Sequence, residues 1–196
     1  MGFGWFLTGY FFVSVVSLYS PLSFAMLAGY LLIMLGLWKL APYYRYFKTV
    51  FYATFLSLPF AVYYALYGLG KMGFSSPMWL FEGALWQTVE WLYFAFTLVF
   101  TMLWLFGVMG LCRELSLQKQ QAGAMRNILL IGVTYLFDMI SRLPVSFIAS
   151  RQMYFLIPVL LMRIITVFLN EFLIYGCYRY ICPESENQKN ERQMKI

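Results

Sequence analysis

The stretch LLMRIITVFLNEFL (160–173) places Arg163, Asn170 and Glu171 inside a long apolar run. In water such residues are unremarkable. In hydrocarbon they mark a solute or ion site, a proton path, or an ion pair that fixes helix register. Successive residues of an α-helix turn by about 100°. On that geometry Gln152, Arg163, Thr166, Asn170 and Glu171 share one side. Two earlier segments show the same organisation. Asn127, Thr134, Tyr135, Asp138 and Arg142 fall on one face, and Glu82, Gln87, Glu90, Thr97 and Thr101 fall within a sector. Three polar faces in one apolar chain are most economically turned toward each other and away from lipid.

Depth selects partners within this set. At about 1.5 Å per residue, Asp138 and Arg163 differ by roughly 5 Å in depth, which a long arginine can bridge. The spacing predicts that they pair, with Glu90 as the rival acid for Arg163 and with Arg142 or Lys71 available to Glu90. Glu171 falls near the opposite boundary, where Arg45, Lys48 or Arg113 would meet it. The predicted buried polar or ligand cluster is therefore Glu90, Asp138, Arg163, Asn170, Glu171, Gln87 and Tyr135. It reads either as a polar cavity for a solute or as a structural ion pair. Tyr63, Tyr64, Tyr67, Trp79, Trp86, Trp91 and Tyr93 crowd the same end as Glu90, as an interfacial belt or as the walls of a site for a cation or an aromatic or amphipathic solute.

Other chemistry is poorly served. The chain has no histidine, which removes His-containing zinc sites, Ser-His and Cys-His nucleophile pairs and histidine proton relays. Cys112, Cys177 and Cys182 form no CxxC and read as small apolar side chains. The GLGKMG stretch (68–73) has the wrong spacing for a nucleotide fingerprint. The expectation is a non-enzyme with no catalytic residues, no cofactor and no metal.

The elements that must position these residues follow from hydropathy. The chain is 62% hydrophobic and 11% charged over 196 residues, whereas soluble domains carry about 25% charge. The apolar runs are continuous and not alternating, so the predicted fold class is all-α, an integral membrane bundle of six transmembrane helices. The spans are placed near 3–19, 21–38, 47–68, 88–111 (with an interfacial extension over 78–87), 125–143 and 153–178. They make one domain over 1–182, followed by a polar tail over 183–196. The start MGFGWF lacks a basic leader region and is read as the beginning of the first span. Ser20–Pro21 and Ser75–Ser76–Pro77 are cap-and-proline starts. Pro59 should kink the third span and Pro158 should bend the sixth. Ala53, Ser57, Ala61 and Ala65 make a small-residue ridge for a neighbouring helix.

Charge then orients the bundle. Of fourteen Lys and Arg residues, ten fall on one side of this topology, three on the other, and Arg163 within a span. The bias predicts both termini on the cytoplasmic face of a plasma or cytoplasmic membrane. The net charge of +6 flanks spans and is not massed on a soluble surface, so a nucleic-acid partner is not expected. The first two spans carry no charge in their cores and are expected to face lipid or a partner protein. The functional expectation is binding or transport of a small solute through a polar cavity among helices three to six. The alternative is a scaffold that docks a partner membrane protein or a second copy. An intramembrane enzyme built on the carboxylates is the third reading.

Overall fold

The computed structural model describes residues 2–74, 78–142 and 152–181. Ser75, Ser76, Pro77, Pro144, Arg151, Cys182 and the 183–196 tail lie outside the described residues, as do the side chains of Trp79 and Gln152.

Among the described residues the chain is entirely helical, with seven α-helices and no strand. They are α1 (Gly2–Ser14), α2 (Ala25–Leu40), α3 (Tyr46–Phe55), α4 (Leu58–Lys71), α5 (Gly83–Glu114), α6 (Gln118–Ser141) and α7 (Gln152–Ile181). Three of them, α5, α6 and α7, are long and apolar enough to cross a bilayer. The α3–α4 pair, bent by 43°, makes a fourth crossing if counted as one. The sixteen residues of α2 reach about 24 Å at the helical rise, against a hydrocarbon layer of about 30 Å.

Local chemistry explains the ends. After α1 the chain tightens into a 3-10 turn at Val16–Leu18. There Val13, Val15 and Val16 are β-branched, and the hydroxyls of Ser14 and Ser17 donate back to the carbonyls of Tyr10 and Val13. The predicted third span breaks at Pro59, which has no N–H for the Phe55 carbonyl. Ser57 Oγ donates to the Thr54 carbonyl at 2.5 Å across the break, and the helix resumes with Ala61 N donating to the Ser57 carbonyl at 2.9 Å. By contrast α7 runs through Pro158 without interruption.

The helices close a circuit of neighbours. α1 packs on α2, α2 on both α3 and α4, α3 on α5, α5 on α6, α6 on α7, and α7 back on α1. Trp104 of α5 fills the centre, fully buried, with the rings of Phe6 and Tyr10 edge-on to it at 5.3 and 5.6 Å. Ser57, Ala61 and Ala65 of the small-residue ridge are buried.

The first two helices each have two sides: Phe3, Phe6, Tyr30, Ile33 and Leu37 are among the most buried side chains of the molecule, while Trp5, Phe11, Leu31, Leu35 and Trp38 are exposed. The buried sides carry glycine at seven-residue spacing in both helices. A methyl group placed on Gly9 would fall 2.6 Å from the carbonyl oxygen of Gly29, and one on Gly36 would fall 2.8 Å from that of Gly2. The two backbones touch along an antiparallel seam, which no residue larger than glycine permits at those points.

Candidate functional site

The polar residues of α5, α6 and α7 meet in two layers. In the first, Asp138 is buried and its carboxylate takes two guanidinium groups. Arg142, one turn later on α6, donates from Nε to Oδ1 at 3.1 Å. Arg163 of α7 donates from Nη2 to Oδ2. The rise arithmetic that paired Asp138 with Arg163 thus matches the observed contact. The side-chain exposures are 7% for Asp138 and 45% for Arg163. The acid is therefore the buried partner, while the arginine lies along the flank and not within the interior. Arg142 turns its guanidinium over Phe94 and Trp91, at 5.2 and 5.8 Å from the ring centres, so it is held by π-faces as well as by charge. Beside this layer, Tyr135 donates from its hydroxyl to Thr97 Oγ1 at 3.0 Å, which ties α6 to α5.

The second layer is a chain of amides. Asn127 Nδ2 donates to Asn170 Oδ1 at 3.0 Å, and Asn170 Nδ2 donates to the Tyr10 hydroxyl oxygen at 2.8 Å. Arg126 donates to Asn127 Oδ1 from the other side at 3.3 Å. Three helices, α6, α7 and α1, are joined in one line. Asn127 and Asn170 are each 1% exposed, so every bond in the line replaces one that lipid could not supply. Thr134 and Thr166 are also buried, each donating to a carbonyl of its own helix.

The other expected members stand apart. Gln87 is exposed, and Glu90 forms no ion pair among the described residues. Arg142 goes to Asp138 and not to Glu90, and Lys71 lies over the Tyr67 ring at 5.4 Å. Glu171 meets none of Arg45, Lys48 and Arg113. Its Oε1 is shut in, with no hydrogen-bond partner among the described residues. The indole Nε1 of Trp104 shares that condition. Sequence reasoning missed Tyr10, whose only signal was a hydroxyl at mid-helix. It also missed the approach of Cys112 Sγ to Cys177 Sγ, 3.8 Å, between α5 and α7.

Two grooves stand out among the described residues. One, of about 520 Å³ between α5 and α6, is apolar and lined by residues such as Phe94, Met102, Phe106 and Leu136. The other, of about 390 Å³ between α1 and α7, is lined by Leu7, Thr8, Phe11, Phe168, Glu171, Phe172 and Tyr175. Neither is lined by Glu90, Asp138 or Arg163. Within the expected set of helices, the α5–α6 groove is lined by Tyr135 of the predicted cluster, but not by its charged members. Polar residues that bond to each other leave no room between them. The carboxylate left without a partner borders the α1–α7 groove instead. No three acidic or cysteine side chains converge as metal ligands among the described residues.

No protein-family model matches the chain. No curated protein and no solved structure is detectably similar to it. The site must be read from its own geometry.

Proposed function

We propose that this is a six-span integral membrane protein with both termini cytoplasmic, and that it binds a small amphipathic solute in the lateral groove between α1 and α7. One observation carries the reading: Glu171 lines a groove of about 390 Å³ and has a buried carboxylate oxygen without a partner. Among the described residues only the Trp104 indole nitrogen shares that lack of a partner, and an unmatched acid that lines open space is the natural place for a ligand atom. The topology rests on the ten-to-three distribution of basic residues and on the closed circuit of six helical units, with α3 and α4 as one. Reporter fusions after Ala41 and after Leu115 both signal the cytoplasm on this topology, and an external signal from either removes it.

A thermal-shift panel of amphipathic metabolites on the purified protein tests the solute reading. A true ligand at about 100 times its Kd adds about 2.7 kcal/mol of stability, a shift of several degrees. Leu7→Trp fills the groove and abolishes that shift while leaving the unliganded transition in place. A shift that survives Leu7→Trp places the solute elsewhere.

The scaffold reading keeps one observation in its favour. The Asp138–Arg142–Arg163 set and the Asn127–Asn170–Tyr10 line are both internally satisfied. Those two layers hold helices together, and the solute site is distinct from them.

A further inference from the structure

The α1–α7 groove has a chemical bias beyond its size. Its lining offers four aromatic rings (Phe11, Phe168, Phe172 and Tyr175), one aliphatic side chain (Leu7), and a carboxylate. Thr8 also borders it, but its hydroxyl is committed to the Gly4 carbonyl at 3.0 Å. No basic residue lines the groove; Arg142 and Arg163 are both held by Asp138, and Arg126 donates to Asn127. An anionic solute would meet repulsion from Glu171 with no counter-charge. A neutral apolar solute would leave the acid unmatched. A cation matches both the carboxylate and the ring faces, the combination that selects quaternary and tertiary ammonium groups. The rims of the groove are exposed apolar side chains, Phe11, Phe168, Phe172 and Tyr175 among them, so entry is sideways and suits a molecule with an apolar body.

We propose that the groove takes a monocationic amphiphile, its charged nitrogen against the Glu171 carboxylate and its apolar body among Phe11, Phe168, Phe172 and Tyr175. The inference rests on the groove being the solute site and adds the class of solute. A single charge is implied because Glu171 is the one acid that lines it. A body of modest size is implied because about 390 Å³ lies near the lower end of small-molecule sites, roughly 300–1,000 Å³.

The test uses the full chain in nanodiscs of zwitterionic lipid, which removes attraction of the probe to anionic headgroups. The probes are benzyldimethyloctylammonium and its neutral isostere with carbon in place of nitrogen. The expected result is at least tenfold tighter binding of the cation, with Glu171→Gln abolishing that preference and leaving the neutral probe unchanged. The cation should also protect Glu171 from a hydrophobic carbodiimide, read by mass spectrometry of the 164–179 region, a measurement that needs no variant to fold. Equal affinity for the two probes, unaltered by Glu171→Gln but lost in Leu7→Trp, overturns the cation inference and leaves the groove as a solute site. Binding of the cation that ignores both substitutions overturns the groove reading itself. So does the absence of binding by either probe.

Discussion

The α1–α2 hairpin and the α6–α7 pair are both antiparallel, and they are held by opposite means. In α1–α2 the backbones touch at Gly2–Gly36 and Gly9–Gly29, with no polar side chain in the contact. In α6–α7 the facing glycines meet side chains, Gly123 that of Leu173 and Gly176 that of Gln120, and Asp138–Arg163 and Asn127–Asn170 reach across. Lipid supplies no hydrophobic drive between helices, so close packing and polar bonds are what remain. The contrast teaches a division of labour. Glycine contact sets a short distance and tolerates no added atom. Polar contact sets register and tolerates a change of side chain at a bounded cost. The groove with Glu171 lies where the two kinds of helix meet, between α1 and α7.

The contrast breaks first at glycine. Gly9→Val drives two methyl groups into the Gly29 carbonyl, 2.6 Å from where the first new atom would stand. The expected loss is on the order of 3 kcal/mol, seen as a lower unfolding midpoint in detergent and as increased protease sensitivity. A wild-type midpoint for Gly9→Val would show that the hairpin can spread and that the close contact is dispensable.

Asp138 comes next. Asp138→Asn leaves two guanidinium groups without a carboxylate and should cost about 2–3 kcal/mol, near the penalty for an unpaired arginine inside a membrane. Adding Arg163→Met should restore a large part of that, since the group most in need of a counter-ion is then gone. Additive losses in the double variant would mean that the pair does not act as a unit.

The smallest effect is expected at Asn170→Leu. It cuts the line from Asn127 to Tyr10, and interhelical hydrogen bonds of this kind are worth about 0.6 kcal/mol on average. A midpoint shift larger than that of Asp138→Asn would invert the ranking and make the amide line the main tie of α7.

Much of the α5–α7 half was readable before any coordinates. Helical periodicity gathered Asn127, Thr134, Asp138, Thr166 and Asn170, which are buried, but it gathered Arg163 and Gln87 with them, and those are exposed. Fixed rise per residue made the Asp138–Arg163 contact calculable, because both helices are long and cross in opposite senses. Pro59 announced a kink through a missing N–H, and the chain goes further, parting into α3 and α4 at a bend of 43°. The hairpin was less readable. Glycine at 2, 9, 29 and 36 is visible as a spacing, but spacing does not say which helix answers it. Nor did an uncharged α1 announce that Tyr10 would complete a hydrogen-bond line begun on α6.

What the amino-acid order determined unaided is helicity, apolar character and the side of each helix on which polar atoms lie. Those properties follow from one segment at a time, through backbone geometry and the cost of unmet polar groups in hydrocarbon. Only the tertiary structure decided that Asp138 serves two arginines, that α1 packs between α2 and α7, and that Glu171 lines the groove between α1 and α7. Each of these depends on which helices become neighbours. That choice is made by how closely two surfaces fit, a property that belongs to the pair and is written in neither helix separately.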